Sequence, residues 1–92
     1  MSYDMIEAVF RRPEMYTVSG TYGEVFAFLE GYYSGLAKDS RNWEHVEIWS
    51  QFNEFLRVEL NDSLRIVRIA FYEKHGEASL EKLKEQYLKF KI

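Results

Sequence analysis

Side chains able to carry proton or metal chemistry are few in this chain of 92 residues, which holds two histidines and no cysteine. Without cysteine there is no thiol nucleophile, thiolate metal site, disulfide or redox switch. Asp39, Ser40 and His45 contain the atoms of an orienter, a nucleophile and a base. Nothing in their spacing assembles a triad, and Asp39-Ser40 more plainly reads as a turn or helix cap. Glu73, His75 and Glu77 alternate and could reach one cation. One imidazole with two carboxylates selects no particular metal, however, and a solvated turn between helices accounts for them. Gly20 and Gly23 lack the remaining glycines and the lysine of a phosphate-binding loop. The chain is therefore expected to be no enzyme and to hold no metal or cofactor.

Charge narrows the partners. Lys and Arg number 12 against 15 Asp and Glu, a net −3, which argues against a nucleic-acid module that must neutralise phosphates. The compact basic groups are Arg11-Arg12 and Arg65 with Arg68. Lys82 and Lys84 interleave with Glu81 and Glu85 at spacings that favour helix-stabilising pairs over a phosphate track. Glu44, Glu47 and Glu54 share one side of a helical stretch, with Asp39 just before it. That stripe is either a solvated outer face or a docking surface for a basic protein, because carboxylates fixed along a helix steer association with a cationic partner.

Aromatic residues are 17% of the chain, and hydrophobic residues 47%, which excludes disorder and supplies one modest core. So many rings exceed what a small core hides, and Tyr and Trp are enriched at interfaces. Trp43, Tyr3, Tyr22 and Tyr72 are the candidates for surface aromatics. No apolar run approaches the length of a membrane span, and the first residues lack the basic and apolar pattern of a signal peptide. A cytoplasmic protein with no membrane association is expected.

The elements that must position these residues follow from hydrophobic period and punctuation. Residues 2–12 read as a helix with Ser2 as cap and Met5, Ile6, Val9 and Phe10 on one stripe; Pro13 stops it. Residues 14–20 form a connector carrying Met15, Tyr16 and Val18. Thr21 with Glu24 is a capping box. The helix it opens is apolar on most sides, with Ala27, Gly31, Ser34 and Gly35 forming a small face suited to close packing. Trp43–Leu60 places Ile48, Trp49, Phe52, Phe55 and Leu56 opposite Glu44, Glu47, Gln51 and Glu54. Asn61-Asp62-Ser63 offers a break and a new cap. Residues 64–74 suit either helix or strand, with Leu64, Val67 and Phe71 on one helical face; helix is favoured because a lone strand has nothing to pair with. Residues 77–90 form the last helix, with Leu80, Leu83, Tyr87 and Phe90 inward. These segments predict an all-α fold: one domain over residues 1–92, a small bundle of about five helices.

Arg12-Pro13-Glu14-Met15-Tyr16, followed by Ala27-Phe28-Leu29-Glu30-Gly31-Tyr32 and by Trp49-x-x-Phe52, resembles a pattern found in small bacterial immunity proteins of polymorphic toxin systems, contact-dependent growth inhibition included. The likeness spans residues 6–52 and departs at Thr17-Val18, where Leu-Gly is closer to the pattern. The matched residues read as structural. Pro13 stops a helix, Met15 and Tyr16 tuck the connector into the core, and Gly31 permits close packing.

The resemblance implies a protein that neutralises a cognate toxin domain by occluding its active site or substrate groove. Toxins of this class are often nucleases, and an RNA-cleaving one presents a cationic groove. Asp39, Glu44, Glu47 and Glu54 are then the expected acidic counterpart, with Trp43 as anchor. The competing expectation is a helical regulatory or scaffold module, in one version a homodimer, acting through exposed Tyr and Trp. Sequence leaves the oligomeric state open.

Overall fold

Asp4 precedes the first helix in extended geometry and accepts the Glu7 amide at 3.0 Å, so it is the cap of α1 (Met5–Arg11). The computed structural model describes residues 4–61 and 65–92. Ser2, the expected cap, and Tyr3 lie outside the described residues. Pro13 ends α1 as expected and begins a 3-10 turn, Pro13–Met15, where its missing amide hydrogen costs nothing. The connector does not bury both of its large side chains. Tyr16 is half-buried against Phe28 at 5.6 Å, but Met15 is 68% exposed and Val18 is also in solvent. Neighbouring side chains in a 3-10 turn diverge by about a third of a turn, so Tyr16 faces inward and Met15 cannot. Pro13 is the buried residue of this segment.

The Thr21–Glu24 capping box is present at the start of α2 (Tyr22–Leu36). Its inner face is Tyr22, Val25, Phe26, Leu29 and Tyr33, all buried. Phe28 and Tyr32 stack on each other at 6.3 Å along one flank. The face of small residues has the opposite role to the one expected. Ala27, Gly31, Ser34 and Gly35 are exposed, and a Cβ at Gly31 or Gly35 would meet nothing within 4 Å. With five large residues filling the other side of the helix, the core has no need of a close backbone approach here.

After a 3-10 turn, Ser40–Asn42, α3 (Trp43–Leu60) buries Phe52 and Leu56. Trp49 is half-buried between Phe26 and Tyr33, at 5.5 and 5.4 Å. Ile48, expected on the core side, is instead exposed. Counting at 100° per residue sets it within about 40° of buried Phe52, on the inward side by period, and it stays exposed because the neighbouring helices do not cover it at this turn. Asn61 ends α3 in the left-handed region with φ 54°, a conformation Asn tolerates better than most residues. The start signal Asp62-Ser63, with Leu64, lies outside the described residues. Helix rather than strand follows: α4 (Val67–His75) buries Val67, Ala70 and Phe71. Gly76 closes it at φ 58° and ψ −131°, a combination that favours glycine, and leads through the 3-10 turn Gly76–Ala78 into α5 (Ser79–Lys91). Leu83 and Tyr87 are buried on α5, with Leu80 and Phe90 partly so.

The all-α expectation holds, and no strand occurs among the described residues. Four of the helices run 9 to 18 residues, and the first, at 7 residues, makes barely two turns. α2 packs on α1 and α3, and α3 also packs on α4 and α5, so α3 touches three other helices while keeping one side free. Long-range polar ties reinforce this packing. Tyr22 donates to the Arg68 carbonyl at 2.8 Å, joining α2 to α4, and Tyr87 donates to Asp4 at 2.7 Å, joining α5 to the cap of α1.

Candidate functional site

The free side of α3 gathers the expected partner-binding residues, with one exception. Trp43 opens the helix and is 64% exposed. Glu44, Glu47, Gln51 and Glu54 follow on the same outer face, all exposed. From Trp43 to Val58 the stripe is about 22 Å long at 1.5 Å per residue. Its carboxylates are weakly engaged. Glu47 accepts the Gln51 amide at 3.2 Å, and Glu54 lies 3.6 Å from Arg57. Contacts of this exposed kind are worth a fraction of 1 kcal/mol, roughly 0.2–0.5, and give way readily to a stronger partner.

Asp39 is the exception. It accepts the Arg41 amide at 2.9 Å, capping the turn Ser40–Asn42, and holds the Arg41 guanidinium through both carboxylate oxygens, the shortest contact being 2.7 Å. The Arg41 guanidinium, with help from the Arg41 amide, keeps the Asp39 carboxyl below the ordinary carboxylate range. Its charge is already matched within the chain.

Two residues of this face escaped the sequence reading. Val58 is 71% exposed and Ile48 41% exposed, both beside the carboxylates. For Val58 the signal lay in the helical period, four residues after Glu54; Ile48 stands four residues before buried Phe52, so period assigned it inward and only the packing shows it exposed. The outer face of α3 is therefore a mixed surface in which Trp43, Ile48 and Val58 sit among three glutamates. Of the other candidate surface aromatics, Tyr72 is half-exposed whereas Tyr22 is buried, its hydroxyl held by the Arg68 carbonyl. Burial raises the Tyr22 phenol well above its ordinary value.

The other constellations come apart. Among the described residues no hydrogen bond joins Asp39 or Ser40 to His45, and Asp39 is committed to Arg41. Glu73 pairs with Arg65 through both oxygens, and His75 lies on the Phe71 ring at 4.5 Å. Burial, then the charges of Lys74 and Lys82, depress the His75 imidazole and favour its neutral form. No group of three or more His, Cys, Asp or Glu among the described residues could hold a metal ion. The lysines of α5 pair as the sequence pattern indicates, Lys82 with Glu85 and Lys84 with Glu81, and Arg11 pairs with Glu7. No helix among the described residues is long and apolar enough to cross a membrane.

No protein-family model, curated protein or solved structure matches the chain. The functional reading accordingly rests on the geometry of this surface and on the residue pattern at positions 12–16 and 27–32.

Proposed function

We propose that the chain is a protein-binding inhibitor: an immunity protein that neutralises a cognate toxin domain in the cytoplasm by docking the outer face of α3 over a cationic active site or substrate groove. One observation carries the reading. Trp43, a residue type that anchors interfaces, stands well exposed at the end of a rigid helix beside three weakly engaged glutamates. Apolar side chains on such a face supply area to bury, and the carboxylates steer a cationic partner into register. The likeness of Arg12-Pro13-Glu14-Met15-Tyr16 and the later Phe28-Leu29-Glu30-Gly31-Tyr32 to immunity proteins supports the class of partner. In this reading a nuclease toxin presents the matching basic groove, and inhibition is stoichiometric, with no chemistry performed by the inhibitor. Glu44, Glu47 and Glu54 act as the charged rim and Trp43, Ile48 and Val58 as the apolar anchors. Asp39 serves to shape the turn before α3 rather than to meet the partner.

The test is recovery of a partner with the intact chain as bait, from cells carrying its native locus, followed by co-expression. A single stoichiometric partner whose toxicity disappears on co-expression is the expected result. Glu44→Lys, Glu47→Lys and Glu54→Lys combined should then weaken binding at least tenfold, mainly through the association rate and its salt dependence. Trp43→Ala should cost about 2 kcal/mol of affinity through faster dissociation. Unchanged affinity in both variants removes the α3 face from the interface.

A further inference from the structure

Tyr72 projects from the outer side of α4, 51% exposed, with its ring stacked on Tyr22 at 5.9 Å and 21°. It walls two grooves. One, of about 470 Å³, runs between α4 and the first turn of α2, past Thr21, Arg68 and Ile69. The other, of about 380 Å³, runs toward Gly76, Glu77 and Leu80. Ile66 and Ile69 extend the same exposed apolar ridge along α4. Charge divides across this ridge. On the first side Glu73 is already paired with Arg65, while Arg68 makes no ion pair among the described residues. On the second side Glu81 lies 3.7 Å from Lys84, while Glu77 makes no ion pair among the described residues. An apolar ridge thus carries on one flank a cation, and on the other a carboxylate, that have no ion-pair partner among the described residues.

We propose that this face is the interface of a homodimer. A two-fold axis lying in the interface alongside Tyr72 brings each flank of one copy onto the opposite flank of its partner, the self-complementarity that a two-fold contact requires. The Tyr72 ring of each copy then occupies a groove beside the other's Tyr72. Ile66 and Ile69 are covered, and Arg68 of each copy faces Glu77 of the other. A second copy fits better than an unlike protein because the surface complements itself in charge, with Arg68 on one flank of Tyr72 and Glu77 on the other. A stable contact needs about 800 Å² per copy. The face shares no residue with the outer face of α3, so dimerisation and toxin binding are separable.

Sedimentation of the intact chain from about 1 μM to 1 mM at low salt tests this. A monomer–dimer equilibrium within that range is expected. Arg68→Glu and Glu77→Arg should each weaken it about tenfold or more, because either change sets two like-charge contacts across the symmetric interface. Combining the two substitutions should restore the dimer to within a few-fold of the unaltered chain, a rescue that a merely unfolded variant cannot give. A chain monomeric at about 1 mM overturns the proposal. So does a dimer indifferent to both reversals, or a double variant as weak as either single one.

Discussion

The Asp4 carboxylate accepts hydrogen bonds from the Glu7 amide, the Tyr87 hydroxyl and the Lys91 ammonium, at 3.0, 2.7 and 3.0 Å. It therefore caps α1 and ties it to α5 with one side chain. Burial alone would raise its carboxyl, but these three donors together hold it below the ordinary carboxylate value. A carboxyl depressed in the folded state stabilises fully above its unfolded value, near 4, and that stabilisation is lost as pH falls through 4 and below. Asp4→Ala should cost about 2 kcal/mol at neutral pH, about half from the cap and half from the cross-helix hydrogen bonds. The gap between variant and unaltered chain should narrow toward pH 3, as urea unfolding at both pH values will show. Lys91 behaves with the opposite sign. Asp4 and Glu7 raise its ammonium above the ordinary value, so that tie persists at neutral pH and is lost as pH rises through the raised value. Sequence put the cap at Ser2, outside the described residues, so the cap role of Asp4 came from the structure. Its partners on α5 were not legible either, because 83 positions of chain separate Asp4 from Tyr87.

At the scale of the element, α2 and α3 show where helical period suffices and where it does not. The capping box of α2 and the glutamate stripe of α3 depend on neighbours three or four residues away, and both stand where the spacing put them. The sequence reading assigned the small face of α2 to close packing, and the structure leaves it in solvent, because what covers a stripe of small residues is decided by the neighbouring helices. Gly31 lies in mid-helix with open space beside it. Gly31→Ala should therefore stabilise the chain by about 0.5–1 kcal/mol, since alanine removes backbone freedom from the unfolded state without a clash. Thermal unfolding should show a rise of about 2–8 °C. A loss of stability would mean that some group does pack against this face.

The whole molecule is held by an aromatic network centred on α3. Phe52 is fully buried, with Trp49, Tyr87 and Phe90 around its ring at 6.3, 5.0 and 5.4 Å. At about 0.05–0.15 kcal/mol per residue, a domain of 92 residues has a total stability on the order of 5–14 kcal/mol. Phe52→Ala should cost about 3–5 kcal/mol, through lost burial and the cavity left between α3 and α5. Denaturant unfolding should then show a midpoint lowered by a large fraction, or no cooperative transition. Because α3 supports the other helices with one side, its opposite side is a rigid platform for Trp43, Glu44, Glu47 and Glu54, which share a helix and need no tertiary fit to align.

Sequence by itself determined the helical class, the ends marked by Pro13 and Thr21, the inward positions of Phe52, Leu83 and Tyr87, and the alignment of the α3 glutamates. Each of these depends on the repeat of one helix or on a cap within four residues of it. Tertiary structure decided the rest. It placed Ile48 in solvent, buried Tyr22 under α4, and left Tyr72 standing between Arg68 and Glu77. The physical reason is common to them all. Whether a side chain at the margin of an apolar stripe is covered depends on what the next helix brings against it, and that contact is fixed by packing across the molecule rather than by spacing along the chain.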